Sequence, residues 1–214
     1  MELLPLEMVN EILLRVNKPV LYYASQVCTQ WKDLSLKYVK MIENADDLFN
    51  VCKEGDLLSV SKCKLDSSWV KSGLVSAYRG GYKQLIELMI LKGANQWDDG
   101  LYYGCEPGHI EIVELMIAKG SDIFDLGLWS PGKEGYKDIA ELMITKGATE
   151  FDLVLFEACM RGHRDIAELM ILNGATKRRS CLDIDCERGH KEIVELMKNN
   201  GVTSCYCGKA MSEH

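Results

Sequence analysis

Histidine nitrogens ligate metals and glutamates move protons, so a search for chemistry in this sequence begins at His109, His163 and His190 and at Glu87, Glu114, Glu141, Glu168 and Glu195. Their spacing argues against both uses. The histidines stand at multiples of 27 residues, at the same point of a repeated pattern, and Tyr82 and Tyr136 take that point in other copies. Helices stacked ~8–10 Å apart do not gather such side chains into the ~2 Å bonds that zinc requires. The histidines are therefore expected as turn residues. The glutamates recur in one register and are expected on the solvated edge of successive helices, not as a paired acid and base.

Nine cysteines are present, an odd number, and most lie within apolar helical patterns, which points to a reduced, intracellular protein rather than a disulfide framework. Cys205-Tyr206-Cys207, with Cys181, Cys186 and His214, is a second metal candidate. Cys186 already belongs to the repeat pattern and no C-x-x-C pair exists, so no metal is expected. No glycine-rich phosphate loop and no Ser, His and Asp set in motif context is present. These residues predict no catalytic site, no cofactor and no enzyme.

The elements that carry these residues are legible from the glycines. Five copies of one pattern open at Gly81, Gly108, Gly135, Gly162 and Gly189, 27 residues apart, and each ends at a second glycine, Gly93, Gly120, Gly147, Gly174 or Gly201. Left-handed backbone is cheap at glycine, so a helix stops there. Between the glycines, apolar residues fall at helical spacing, as in Ile112, Val113, Leu115, Met116 and Ile117. Leu74, Leu101, Leu128, Leu155 and Leu182, seven residues before each opening glycine, start a second, shorter helical pattern. Each repeat is thus predicted to be a helical hairpin.

A degenerate sixth copy precedes these, with Leu48, Cys52 and Gly55 in register. At the ninth position the inner repeats carry Ile90, Ile117, Ile144 and Ile171 and the outer ones Lys64 and Lys198, as suits end repeats that need a polar outer face. Asp98, Asp125 and Asp152 read as helix caps. The aromatic pairs Trp97/Tyr102, Phe124/Trp129 and Phe151/Phe156 around them have the spacing of a hydrophobic staple, with an aromatic ridge that binds a partner as the alternative, and are replaced by Arg178/Asp183, a potential ion pair, in the last repeat. Pro131-Gly132 is expected to break the first helix of its repeat.

The net charge of −7 argues against a phosphate-binding surface, and no apolar run approaches the ~18–20 residues needed to cross a bilayer. Neither a nucleic acid nor a membrane is expected as a partner.

The leucine, Ala-Cys, Gly-His and Gly-Ala positions, as in Leu155, Ala158-Cys159, Gly162-His163 and Gly174-Ala175, resemble ankyrin repeats over about residues 45–203. The period is shorter than the ~33 residues of that family and its Thr-Pro-Leu-His turn is missing, so the projecting β-hairpins are expected to be trimmed to tight turns. Such short repeats are similar to those of ankyrin-type proteins of large DNA viruses. From the concavity that the resemblance implies, the expected substrate-contact residues are Tyr103, Glu106, Lys133, Glu134, Glu157, Met160, Arg161, Glu187 and Arg188.

Residues 2–42 follow a different pattern. Leu4-Pro5, Glu7, Ile12-Leu13, Val16, Leu21, Val27-Cys28 and Trp31 resemble an F-box, with Asn17-Lys18-Pro19 departing from the usual Asp-Pro turn. The resemblance implies docking to the Skp-type adaptor of a cullin–RING ubiquitin ligase through Leu4, Pro5, Ile12, Leu13, Val27, Cys28 and Trp31.

The expectation is an all-α chain with an F-box-like helical module over 1–44, an α-solenoid of six ankyrin-like hairpins lacking long β-hairpin loops over 45–203, and a tail over 204–214. Its expected role is to recruit an unidentified protein substrate to the ligase, in the cytoplasm or nucleus, of a host cell if the source is viral. The alternative is a ligase-independent scaffold whose N-terminal helices only cap the solenoid.

Overall fold

The computed structural model of the chain describes residues 44–62 and 67–202. The expected F-box-like module, Lys64 and the tail with Cys205, Cys207 and His214 lie outside them. Among the described residues the fold is all-α, with twelve helices and no strand. The helices pair as α1 (Ala45–Lys53) with α2 (Leu57–Lys62), α3 (Ser67–Gly80) with α4 (Lys83–Leu91), α5 (Trp97–Cys105) with α6 (Ile110–Lys119), α7 (Phe124–Glu134) with α8 (Lys137–Lys146), α9 (Phe151–Arg161) with α10 (Arg164–Leu172), and α11 (Arg178–Arg188) with α12 (Lys191–Asn199).

The chain divides into two compact units between Gln96 and Trp97. In the first, α1 packs on α3 and α2 on α4, around fully buried Leu48, Cys52, Leu74, Tyr78 and Ile86. In the second, α5, α7, α9 and α11 form one layer and α6, α8, α10 and α12 the other. The core between the layers repeats with the sequence. Leu101, Leu128, Leu155 and Leu182 are fully buried, as are Met116, Met143, Met170 and Met197.

In the hairpin that runs from α9 to α10, Leu155, Ala158 and Cys159 form the buried stripe of the first helix, while Asp152 in its first turn and Arg161 in its last oppose the helix dipole. Gly162 ends it at φ 79°, with Gly162 N–H donating to Cys159 O and His163 N–H to Ala158 O, so the last carbonyls are satisfied. Two residues then suffice to start α10. Gly174, at φ 103°, closes the second helix with the same pair of bonds, to Ile171 O and Met170 O. Between hairpins the connections are short, four residues from α8 to α9.

Within each unit, contacts at the opening turns tie a hairpin to the one before it. The ring at the opening turn lies against the preceding opening glycine: a Cβ on Gly108 would sit 2.8 Å from Tyr136, and one on Gly135 2.9 Å from His163. The histidines also donate a ring N–H to a carbonyl of the preceding turn, His163 Nε2 to Lys133 O at 2.9 Å and His190 Nδ1 to Cys159 O at 3.0 Å. In the first unit, Tyr82 makes the same connection, to Lys53 O at 3.1 Å. Tyrosine and histidine interchange there because each supplies a flat ring that carries a hydrogen-bond donor.

Three expectations are corrected. Asp98, Asp125 and Asp152 are not caps, because their helices begin one residue earlier, at Trp97, Phe124 and Phe151. Their carboxylates instead hold the next hairpin's entry turn. Asp125 accepts from the N–H groups of Thr149 and Glu150, Asp152 from those of Thr176 and Lys177, and Asp98 from Ser121 Oγ. The staple fails with the caps, since its first aromatic lies inside the helix and residues five apart on a helix point about 140° away from each other. In the last repeat, the Arg178 guanidinium donates to Ala175 O and Asn200 O.

The third correction is Pro131, through which α7 runs unbroken to Glu134. Tertiary contact overrides the local cost. A Cβ on Gly127 would lie 2.8 Å from Met143 Sδ and one on Gly132 2.3 Å from Val154 Cγ1, so these glycines let α7 sit close against both α8 and α9. Val154 is fully buried and stiff at χ1. Gly132→Val is therefore expected to cost about 1–3 kcal/mol of stability, the range for overpacking a filled core. A urea midpoint unchanged from wild type would refute the close contact.

Hydrogen bonds from the Lys177 and Thr176 backbone hold the Asp152 carboxyl below its ordinary value, against a smaller opposing effect of burial. A carboxyl depressed in the folded state stabilises the fold above its unfolded pKa of about 3.9, and that contribution disappears as pH falls through the folded pKa. Asp152→Ala is expected to cost about 1 kcal/mol at pH 7. The difference from wild type should shrink below pH 4, as thermal melts across pH would show.

Candidate functional site

The expected adaptor-docking positions Leu4, Pro5, Ile12, Leu13, Val27, Cys28 and Trp31 lie outside the described residues, as does the side chain of Glu187. The other expected contact residues fall at or just beyond the C-terminal ends of α5, α7, α9 and α11. Glu106, Lys133 and Met160 share one register, two residues before the opening glycine, and Tyr103 and Glu157 stand five before it. Because these helices form one layer, residues 27 apart in sequence become neighbours in space.

Their environments differ. Tyr103 is half-buried, its ring edge-on to Tyr102 at 5.1 Å. Lys133 pairs with Glu134 at 3.2 Å and holds its ammonium 5.6 Å from the centre of the Trp129 ring. Both members of that pair are solvated, so it contributes little to stability. Glu157 and Met160 are half-buried, and Glu106, Arg161 and Arg188 exposed.

The structure adds residues to this surface. Leu126 and Leu153, third in α7 and α9, are 50% and 51% exposed, and Phe156 is 39% exposed. With Trp129, Lys133 and Met160 they form stripes at i, i+3 and i+7, which share one helix face. The clue in the sequence is that the positions equivalent to the leucines are polar in both flanking repeats, Asp99 and Ser180, while the aromatic position is Tyr102 before and Asp183 after. An apolar residue where sister repeats are polar does not belong to the shared core.

Beside this stripe lies a cavity of about 510 Å³ lined by Glu150, Asp152, Leu153, Phe156, Lys177, Ser180 and Cys181. A more open, polar hollow of about 540 Å³ follows the opening turns, around His163, Arg164, Asp165 and Glu192. Arg164 there is engaged by Asp165 and Glu168. Burial pushes the Cys105 thiol up to about 12, so it stays protonated and unreactive at neutral pH. Among the described residues no three His, Cys, Asp or Glu side chains converge as a metal site, and no helix is long and apolar enough to cross a membrane. The described surface is one of exposed apolar and charged side chains in register, suited to contact with another macromolecule.

No curated protein matches the chain. Residues 1–40, the stretch that contains Leu4-Pro5, Ile12-Leu13, Val27-Cys28 and Trp31, match the model of the F-box domain.

Proposed function

We propose that this chain is an interaction adaptor that binds a Skp-type subunit of a cullin ubiquitin ligase through residues 1–40 and a protein substrate through its helical repeats. The observation that supports it best is the F-box match over 1–40, in a chain whose following residues fold as repeated helical hairpins. F-box domains engage Skp-type adaptors, and an amphipathic helix seated in a hydrophobic groove accounts for the apolar residues at 4, 12, 13, 27 and 31. The repeats are read as shortened ankyrin-like units on their Leu, Ala-Cys and Gly-His positions. Their contact surface includes Tyr103, Lys133, Glu157 and Met160.

In this role the protein performs no bond chemistry. It raises the concentration of a substrate near a ubiquitin-loading enzyme, by tethering the two to one chain. It acts in the cytoplasm or nucleus. The test is direct binding of the purified full chain to a Skp-type adaptor, with co-purification of the cullin subunit. A saturable complex that brings the cullin with it is the expected result. No complex would leave a ligase-independent scaffold, and adaptor binding that excludes the cullin would make the protein a decoy.

A further inference from the structure

We propose that the exposed apolar stripe on α7 and α9 is the anchor site for a net-basic peptide segment of a partner protein, with two apolar side chains about 10 Å apart entering at Leu126 and at Leu153/Phe156. The assignment rests on the reading of the repeats as the substrate-binding part of the chain, and names the chemistry they select.

Single exposed leucines are ordinary on protein surfaces, but these are stacked in register on adjacent helices. Helices packed ~8–10 Å apart set the spacing of the two anchors. It matches residues i and i+3 of a polyproline-II segment, which share one face at about 3.1 Å per residue, or i and i+7 of a helix, at about 1.5 Å per residue. The patch is bounded, because Asp99 and Ser180 take the leucine positions in the flanking repeats. The cavity beside Leu153 and Phe156 has room for one side chain of the partner.

Charge selects the occupant. Asp122 and Asp125 precede Leu126 in sequence, Glu150 and Asp152 line the cavity with Leu153 and Phe156, and Lys177 is the one cation in that lining. Of the arginines that follow it, Arg178 is engaged by the Ala175 and Asn200 carbonyls and Arg179 opens α11 beside it. At the other end of α7, Lys133 is balanced by Glu134. The edge formed by the starts of α7 and α9 is therefore acidic and favours a segment with Lys or Arg next to its apolar anchors. A second copy paired through the same face would set acidic edge against acidic edge, which disfavours self-association.

The experiment is a selection of displayed random peptides on the purified full chain, followed by affinity measurements on synthetic peptides from the enriched set. Enriched sequences should carry two apolar residues at i, i+3 or i, i+7 and more Lys and Arg than Asp and Glu. A Leu153→Lys/Phe156→Lys variant should weaken them at least about tenfold, roughly what loss of one anchor costs. Leu91→Lys, at an 85% exposed leucine of the other unit, should leave them unchanged. Both variants replace exposed side chains, and matched thermal melts confirm that each folds.

No enriched family, peptides that bind the double variant equally well, or an acidic consensus would overturn the assignment. So would self-association abolished by the double variant, which would give the face to a second copy. Adaptor binding measured on the same samples separates the two proposals. A chain that binds the adaptor but selects no such peptide loses this assignment alone, and one that selects the peptides but not the adaptor loses the ligase reading alone.

Discussion

Replacing Leu4, Pro5 and Trp31 together by alanine is expected to weaken binding to a Skp-type adaptor by at least about a hundredfold, or about 2.7 kcal/mol. Interface energy concentrates in a few desolvated anchors, tryptophan foremost among them, and truncating one costs about 2 kcal/mol or more. The leucine and proline that open the segment and the tryptophan that closes it are the most distinctive parts of the F-box-like pattern. Titration calorimetry on a variant of unchanged helicity and unchanged peptide binding would make the measurement. An affinity within about threefold of wild type would sink the assignment of these three residues.

Leu155→Ala is expected to cost about 3–5 kcal/mol, the range for emptying a buried leucine site that cannot collapse. Leu155 is fully buried in α9, which packs against α7, α10 and α11, so the cavity would open at a helix enclosed by three neighbours. In a repeat array the stability of each unit depends on its interfaces with its neighbours, so a weakened central hairpin should also uncouple those on either side. Urea denaturation followed by helicity should show a lower midpoint and a broader transition. Leu153→Ala, two residues away and 51% exposed, should stay within about 0.5 kcal/mol of wild type. Equal effects at the two sites would refute the burial of one leucine and the exposure of the other.

The contrast between Leu153 and Leu155 shows where a sequence stops being informative. Leu155 recurs in register in every complete repeat, and recurrence identifies a core position because each hairpin must bury the same stripe against the next. Leu153 is a leucine in only two of the four hairpins of its unit, so its exposure depended on which way α9 turns within the layer. The surface of the second unit was legible in part. The register of Lys133 and Met160 can be counted from the glycines, whereas of the apolar patch they border the sequence singles out only Trp129 and Phe156, as staple members first and a partner-binding ridge second, and not Leu126 or Leu153.

By itself the sequence determined the all-α class, the six hairpins and the left-handed glycines that end them, because helix periodicity and glycine's backbone freedom are local properties repeated in register. Only the tertiary structure decided the partners of Asp125 and Asp152, which lie 24 residues away in the next hairpin, the passage of α7 through Pro131, and the exposure of Leu126, Leu153 and Phe156. Each of those depends on contact between hairpins. A carboxylate cannot show in sequence whose N–H it will meet, and a helix-breaking residue cannot show that two glycines of its own helix will let neighbouring helices close in around it.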